Sequence, residues 1–151
     1  MEFQFKISTN YQTISMIVQD ILLTEQYEIY STIGLNKLLT FYSISKIIDR
    51  ATKEKVSFYE ITYNNQIIGF AEIEINHLTS LYIMSNFRKM GVGRNFLLFL
   101  ENEQQHKGNI TVFSSPTAIE FYMKLGFTHQ SYNCINQGGV LYTPMIKVAK
   151  K

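Results

Sequence analysis

Polar and apolar residues alternate at the start of the chain. Phe3, Phe5 and Ile7 stand against Glu2, Gln4 and Lys6, which predicts a strand over residues 2–8. The period lengthens after Ser8-Thr9-Asn10, a run able to cap a helix. Ile14, Ile17, Ile21 and Leu22 then fall on one helical face. Gly34 breaks the pattern near a loop. A second helix is predicted over residues 35–50, with Leu35, Leu38, Leu39, Tyr42 and Ile47 as its buried stripe. Lys53-Glu54-Lys55 reads as a solvated turn. Residues 56–63 and 67–75 are rich in aromatic and β-branched residues, and Asn64-Asn65-Gln66 between them suits a turn because Asn tolerates positive φ. With residues 79–85 as a third strand after Asn76-His77, the stretch reads as an antiparallel meander.

A helix is predicted from Gly91, with Val92, Phe96, Phe99 and Leu100 on one face and an end near Lys107-Gly108. Residues 109–113 read as a buried strand. Ser115 is placed as N-cap of the next helix, with Pro116 at its first position, Ala118, Phe121, Tyr122 and Leu125 facing inward, and Gly126 at its end. Residues 127–135 and 140–148 are the last strands, joined across Asn136-Gln137-Gly138-Gly139. Pro144, with no N–H, implies a sheet edge or a bulge. A crossover through the helix at Gly91 requires one parallel pair in an otherwise antiparallel sheet. The predicted class is mixed α/β, a mostly antiparallel central sheet flanked by helices.

Composition narrows this. The chain has 151 residues, which suits one domain over residues 1–151, and its 46% hydrophobic and 17% charged residues can fill a core. Ten Tyr and eleven Phe with no Trp suit a sheet-rich domain. A net charge of +2 is too mild to make nucleic acid the main partner. The single cysteine, Cys134, excludes an internal disulfide framework, and His77, His106 and His129 lack metal-ligand spacing, so no metal is expected. No run approaches membrane-spanning length, and residues 1–7 do not read as a signal peptide. A cytoplasmic protein is expected, as a monomer or a homodimer.

Candidate chemistry concentrates at Arg88-Lys89-Met90-Gly91-Val92-Gly93-Arg94, between a strand and a helix. The first N–H groups of a helix have no intrahelical acceptor and carry the positive end of its dipole. Gly91 and Gly93 keep side chains away from those amides, and Arg88, Lys89 and Arg94 add positive charge, so the loop suits an anion such as a phosphate. A dinucleotide fingerprint needs a third glycine where Phe96 stands, and a triphosphate loop needs Gly-Lys-Ser/Thr, which is absent. The glycines also serve an ordinary helix start, and Tyr122 also suits a core position.

Arg88-x-x-Gly91-x-Gly93, preceded by Leu81-Tyr82-Ile83-Met84-Ser85-Asn86-Phe87, resembles the coenzyme A signature of the GCN5-related N-acetyltransferase (GNAT) superfamily. Residues 114–127, through Ala118-x-x-Phe121-Tyr122-x-Lys124-x-Gly126-Phe127, resemble that family's second segment at the matching distance. The resemblance covers residues 56–148. Residues 1–55 match only as a strand and two helices. Residues 139–145 resemble the end of a small bacterial branch.

The resemblance implies an acetyl-CoA-dependent enzyme that acetylates a primary amine of a small molecule or peptide by direct attack. Lys89, Met90, Gly91, Val92, Gly93 and Arg94 would hold the pyrophosphate, with Arg88 nearby. Leu81, Tyr82 and Ile83 would pair with the pantetheine arm, with a carbonyl-polarising amide near Ile83. Ser115 would join the cofactor contacts, and Tyr122 would be the acid toward sulfur. Relatives often carry an acid where this chain has Thr79 and Ser80, so the base stays open among Glu72, Glu74, His77 and water. They also often carry Asn where Phe113 stands. A non-catalytic acyl-CoA-binding module on the same fold is the alternative.

Overall fold

The computed structural model describes residues 2–149. One sheet carries the strands in the order β1 (Phe3–Ile7), β2 (Val56–Tyr63), β3 (Gln66–Glu74), β4 (His77–Ile83), β5 (Ile110–Ser114), β8 (Val140–Lys147) and β6 (Thr128–His129), and β7 (Ile135–Gln137) also pairs with β8. Every pair is antiparallel except β4 with β5, the parallel step that the crossover demanded. Strand alternation sends Phe58 and Phe70 under α1 (Tyr11–Glu25), α2 (Thr32–Phe41) and α3 (Ile44–Ala51). The intervening Tyr59, Ala71 and Ile73 pack beneath α4 (Val92–Asn102) and α5 (Ile119–Lys124).

Several elements differ from the sequence expectation, each for a local reason. The expected helix over residues 35–50 is two helices that break at Tyr42-Ser43. Ser43 is extended at the N-cap of α3, and Ser15 Oγ donates to the Tyr42 carbonyl at 2.7 Å. The break leaves both Tyr42 and Ile47 buried. Gly34 lies inside α2, capped by Ser31, rather than in a loop. A Cβ there would lie 2.0 Å from the Gly139 carbonyl oxygen, so its role is close backbone approach. The helix α4 stops at Asn102 and not near Lys107, because a 3-10 turn, Gln104–His106, instead buries His106 against Tyr59 and the Ile75 carbonyl.

Ser115 is not an N-cap and Pro116 is not helical. Residues before proline avoid the helical region, so residues 115–118 form a turn with Pro116 second, closed by Ala118 N–H donating to Ser115 O at 3.1 Å. The expected strand over 127–135 is two short pieces, β6 and β7, on the same side of β8. Pro144 is therefore interior and not at an edge. Its carbonyl accepts from Gln130 N–H on that side, so its missing N–H falls in the gap between β6 and β7, where no ladder bond is lost.

The β3–β4 turn is strained. Ile75, β-branched, has φ 56°, while the β2–β3 turn uses Asn64 and Asn65 at φ 50° and 63°. The turn is held by Ile75 N–H to Lys55 O at 3.0 Å, by His106 and by Asn76 Nδ2 donating to Lys107 O at 2.9 Å. It fixes where β4 meets β5. Ile75→Asn keeps the backbone bonds and relieves the strain, so thermal denaturation should show a gain of about 1 kcal/mol.

Candidate active site

Two strands that should run side by side separate here. The β4–β5 ladder consists of His77 opposite Thr111 and Leu78 opposite Val112, and then β5 continues only against β8. Register on the other side explains the divergence. Glu72 faces Ser80 while Ile73 faces Leu78, which leaves Thr79 as an extra, bulged residue in β4. Met84 N–H donates to Ile68 O at 2.8 Å. Backbone alternation then directs Tyr82 and Ser80 to β3, and directs the N–H and C=O of Leu81 and Ile83 into the opening. That wedge is a cleft of about 1160 Å³.

The loop from β4 to α4 closes one end. Lys89 and Gly91 both have left-handed backbones, at φ 65° and 81°, which turns the chain so that α4 begins at Val92 with its first N–H groups free of intrahelical acceptors. Gly91 is needed for that φ, and a Cβ there would meet only Asn95 Nδ2 at 3.8 Å. Gly93 has a packing role, since a Cβ would lie 2.6 Å from Phe121 Cζ of α5. Arg88 donates through Nε to Ile83 O at 2.9 Å, and its guanidinium pairs with Glu25 at the end of α1.

Eleven of the twelve residues expected from sequence as cofactor contacts or the acid line the cleft: Leu81, Tyr82, Ile83, Arg88, Lys89, Gly91, Val92, Gly93, Arg94, Ser115 and Tyr122. Met90 does not. It packs against the cluster of Ile61, Ile68 and Val92. Tyr82 also differs from Leu81 and Ile83, because its backbone is turned to β3 and its ring, stacked on Phe70 at 5.7 Å, is what it presents.

Tyr122 is 6% exposed, its ring edge-on to Phe121 and Phe127. Burial, with a smaller contribution from Tyr42, raises its hydroxyl pKa far above the ordinary value, so it stays protonated at neutral pH. Two further hydroxyls lie nearby, on Tyr42, expected in a buried helical stripe, and on Ser80, expected only as a departure from an acid position. Tyr42, from the α2–α3 break, bonds through its OH to Ser80 Oγ, and both line the cleft. Burial raises the Tyr42 and Tyr82 hydroxyls as well. Tyr42 reads as a core position because its spacing matches the buried stripe of a helix. Only the break at Ser43 and the bulge at Thr79 bring it to Ser80.

The three named base candidates lie outside the cleft. Glu72 is buried beneath α3 and held by Arg50, Nε to Oε2 at 2.6 Å and Nη2 to Oε1 at 3.1 Å. Burial raises its pKa and Arg50 opposes that rise. Glu74 is exposed at the end of β3. His77 bonds through Nδ1 to Thr111 Oγ1 at 2.8 Å, and burial pushes its pKa down. Among the described residues the cleft is lined by one carboxylate, the exposed Glu120. These residues contain no group of three or more His, Cys, Asp or Glu able to hold a metal. No described helix is long and apolar enough to cross a membrane.

Residues 28–149 match the acetyltransferase (GNAT) domain family. The chain belongs to the GNAT family. No curated protein matches it by sequence. The GNAT fold itself recurs in solved structures. The PaiA N-acetyltransferase from Thermoplasma acidophilum, solved in complex with coenzyme A, superposes with a TM-score of 0.79 at 18% identity, covering 98% of this chain and 99% of that one. A GCN5-related N-acetyltransferase from Rhodopseudomonas palustris gives 0.79 at 18% identity, over 97% and 94% of the chains. YncA from Salmonella typhimurium, solved with acetyl-CoA, gives 0.63 at 15% identity, over 100% and 96%. At such identities the likeness shows the fold, and the family match supports acetyl transfer in general.

The cleft fits a coenzyme A thioester on its own geometry. It has strand backbone facing the opening at Leu81 and Ile83, of which the Ile83 carbonyl accepts from Arg88, a helix start with free amides, and three cations beside them.

Proposed function

We propose that the protein transfers an acetyl group from acetyl-CoA to a primary amine of a small molecule or peptide, by direct attack within a ternary complex. The observation that carries this is the pair of cleft-facing backbones at Leu81 and Ile83, on the same cleft as the protonated hydroxyl of Tyr122. Acetyl-CoA supplies the activated acyl group.

The chain's own residues have four roles in this reading. The first amides of α4, with Arg88, Lys89 and Arg94, bind the pyrophosphate. Leu81 and Ile83 add the pantetheine arm as an extra strand. The Leu81 N–H, nearer the bulge, polarises the thioester carbonyl. It suits that role better than Ile83, whose carbonyl is bound to Arg88 at the loop end. Tyr122 donates its proton to the departing sulfur and takes one back from water, which restores the acid for the next turnover. The amine's proton leaves through water, since Glu72, Glu74 and His77 do not line the cleft. The setting is cytoplasmic in this reading.

The test is release of free coenzyme A thiol with a panel of amines, alongside a thermal shift with acetyl-CoA. Binding with turnover of at least one amine is expected. Binding with no turnover would turn the reading to an acyl-CoA-binding module.

A further inference from the structure

The cleft has a second wall opposite the glycine loop, built from the α1–α2 segment and the β7–β8 hairpin. The backbones of Gly34 and Gly139 lock its two parts together. Tyr30, Phe41, Tyr42 and Tyr142 give it an aromatic surface. Its one charged side chain is Lys37. From α2, Lys37 extends across to the hairpin turn, where a Cβ on Gly138 would lie 1.9 Å from its Nζ. Lys37 is exposed and forms no ion pair among the described residues. The cleft's carboxylate, Glu120, belongs to α5, whose next residue, Phe121, packs on α4 at the other end.

Resting on the proposed acetyl transfer, we infer that the acceptor is an amine bearing a carboxylate, of the amino-acid class, with Lys37 holding that carboxylate. A polyamine is the opposite case. Its second ammonium would meet no carboxylate on this wall, where the one charge is the ammonium of Lys37. Aromatic faces do attract cations, but the Phe41 face is already covered by the Arg50 guanidinium at 3.6 Å from the ring centroid. A carboxylate faces the reverse balance: a lysine with no ion-pair partner among the described residues, and tyrosine rings for the rest of the molecule.

The experiment compares aromatic and aliphatic amino acids with their carboxamides and with spermidine, in turnover and in thermal shift. Each free acid should have a kcat/KM about tenfold above its amide, the size of one charge-assisted contact at an accessible site, and spermidine should be the poorest substrate. In Lys37→Met the acid-to-amide ratio should fall toward one, and Lys37→Arg should restore it. Equal acid and amide in the parent protein, preference for spermidine, or a Lys37→Met effect on acetyl-CoA affinity would each overturn the inference. If no amine turns over while acetyl-CoA binds, the enzymatic reading fails. The acid-against-amide difference in thermal shift then still decides whether Lys37 holds a carboxylate.

Discussion

Tyr122→Phe is expected to bind acetyl-CoA with nearly the parent affinity and to release coenzyme A about 10²-fold more slowly, the lower end of what a positioned general acid contributes. Isothermal titration gives the first quantity and thiol release the second. The change removes one oxygen from a ring fixed against Phe121 and Phe127, so the fold should hold. Because the hydroxyl pKa lies far above neutrality, the parent should keep this acid protonated through pH 6–9. Alkaline loss of turnover in that window would have to come from another group. Equal turnover in Tyr122→Phe and parent would remove the residue from the mechanism.

Arg50→Met should cost about 3–5 kcal/mol, because it leaves the Glu72 carboxylate buried without its partner. For a domain of this size that is a fall in melting temperature of about 10 °C. The variant also loses the Arg50 bond to Phe41 O at 2.7 Å, which ties α3 to the end of α2. The pH dependence has a definite sign. Burial raises the Glu72 pKa, and without Arg50 only the smaller influence of Lys53 opposes it, so the folded variant binds a proton more readily than the unfolded chain. Its deficit should shrink as pH falls toward the ordinary carboxylate range. Adding Glu72→Gln to Arg50→Met should recover part of the loss at pH 7. Matching melting curves for Arg50→Met and parent at pH 7 would show that the pair adds nothing.

What the sequence disclosed followed the scale of each feature. Alternation and helical periodicity located the meander and the crossover, because each is a run whose pattern is set by burial on one face. Eleven of the twelve residues given a cofactor or acid role on the resemblance line one cleft. Met90 escaped because its neighbours in the motif face the cleft while it packs beneath them. Features that depend on contact between distant segments were silent. Gly34 reads as a loop until Gly139 lies against it. Glu72 reads as one of two carboxylates on a strand face until Arg50, from a helix not expected to break, covers it. Pro144 reads as an edge until the partner strand divides beside it. The Tyr42–Ser80 contact needed both a helix break and a strand bulge, and neither has a motif.

The Gly34–Gly139 contact has a consequence for how such a protein can diversify. Backbone meets backbone there, and a Cβ on Gly139 would come within 2.8 Å of both Gly34 N and Ser31 Oγ. No pair of larger residues can substitute by trading volume, since neither site has any to give. In a saturation library selected for folded protein, both positions should be nearly invariant and uncorrelated, while Tyr30, Lys37, Phe41 and Tyr142 around them vary. The frame of the acceptor wall is thus fixed by two absent methyl groups, and new acceptor preferences must be written in the side chains it displays.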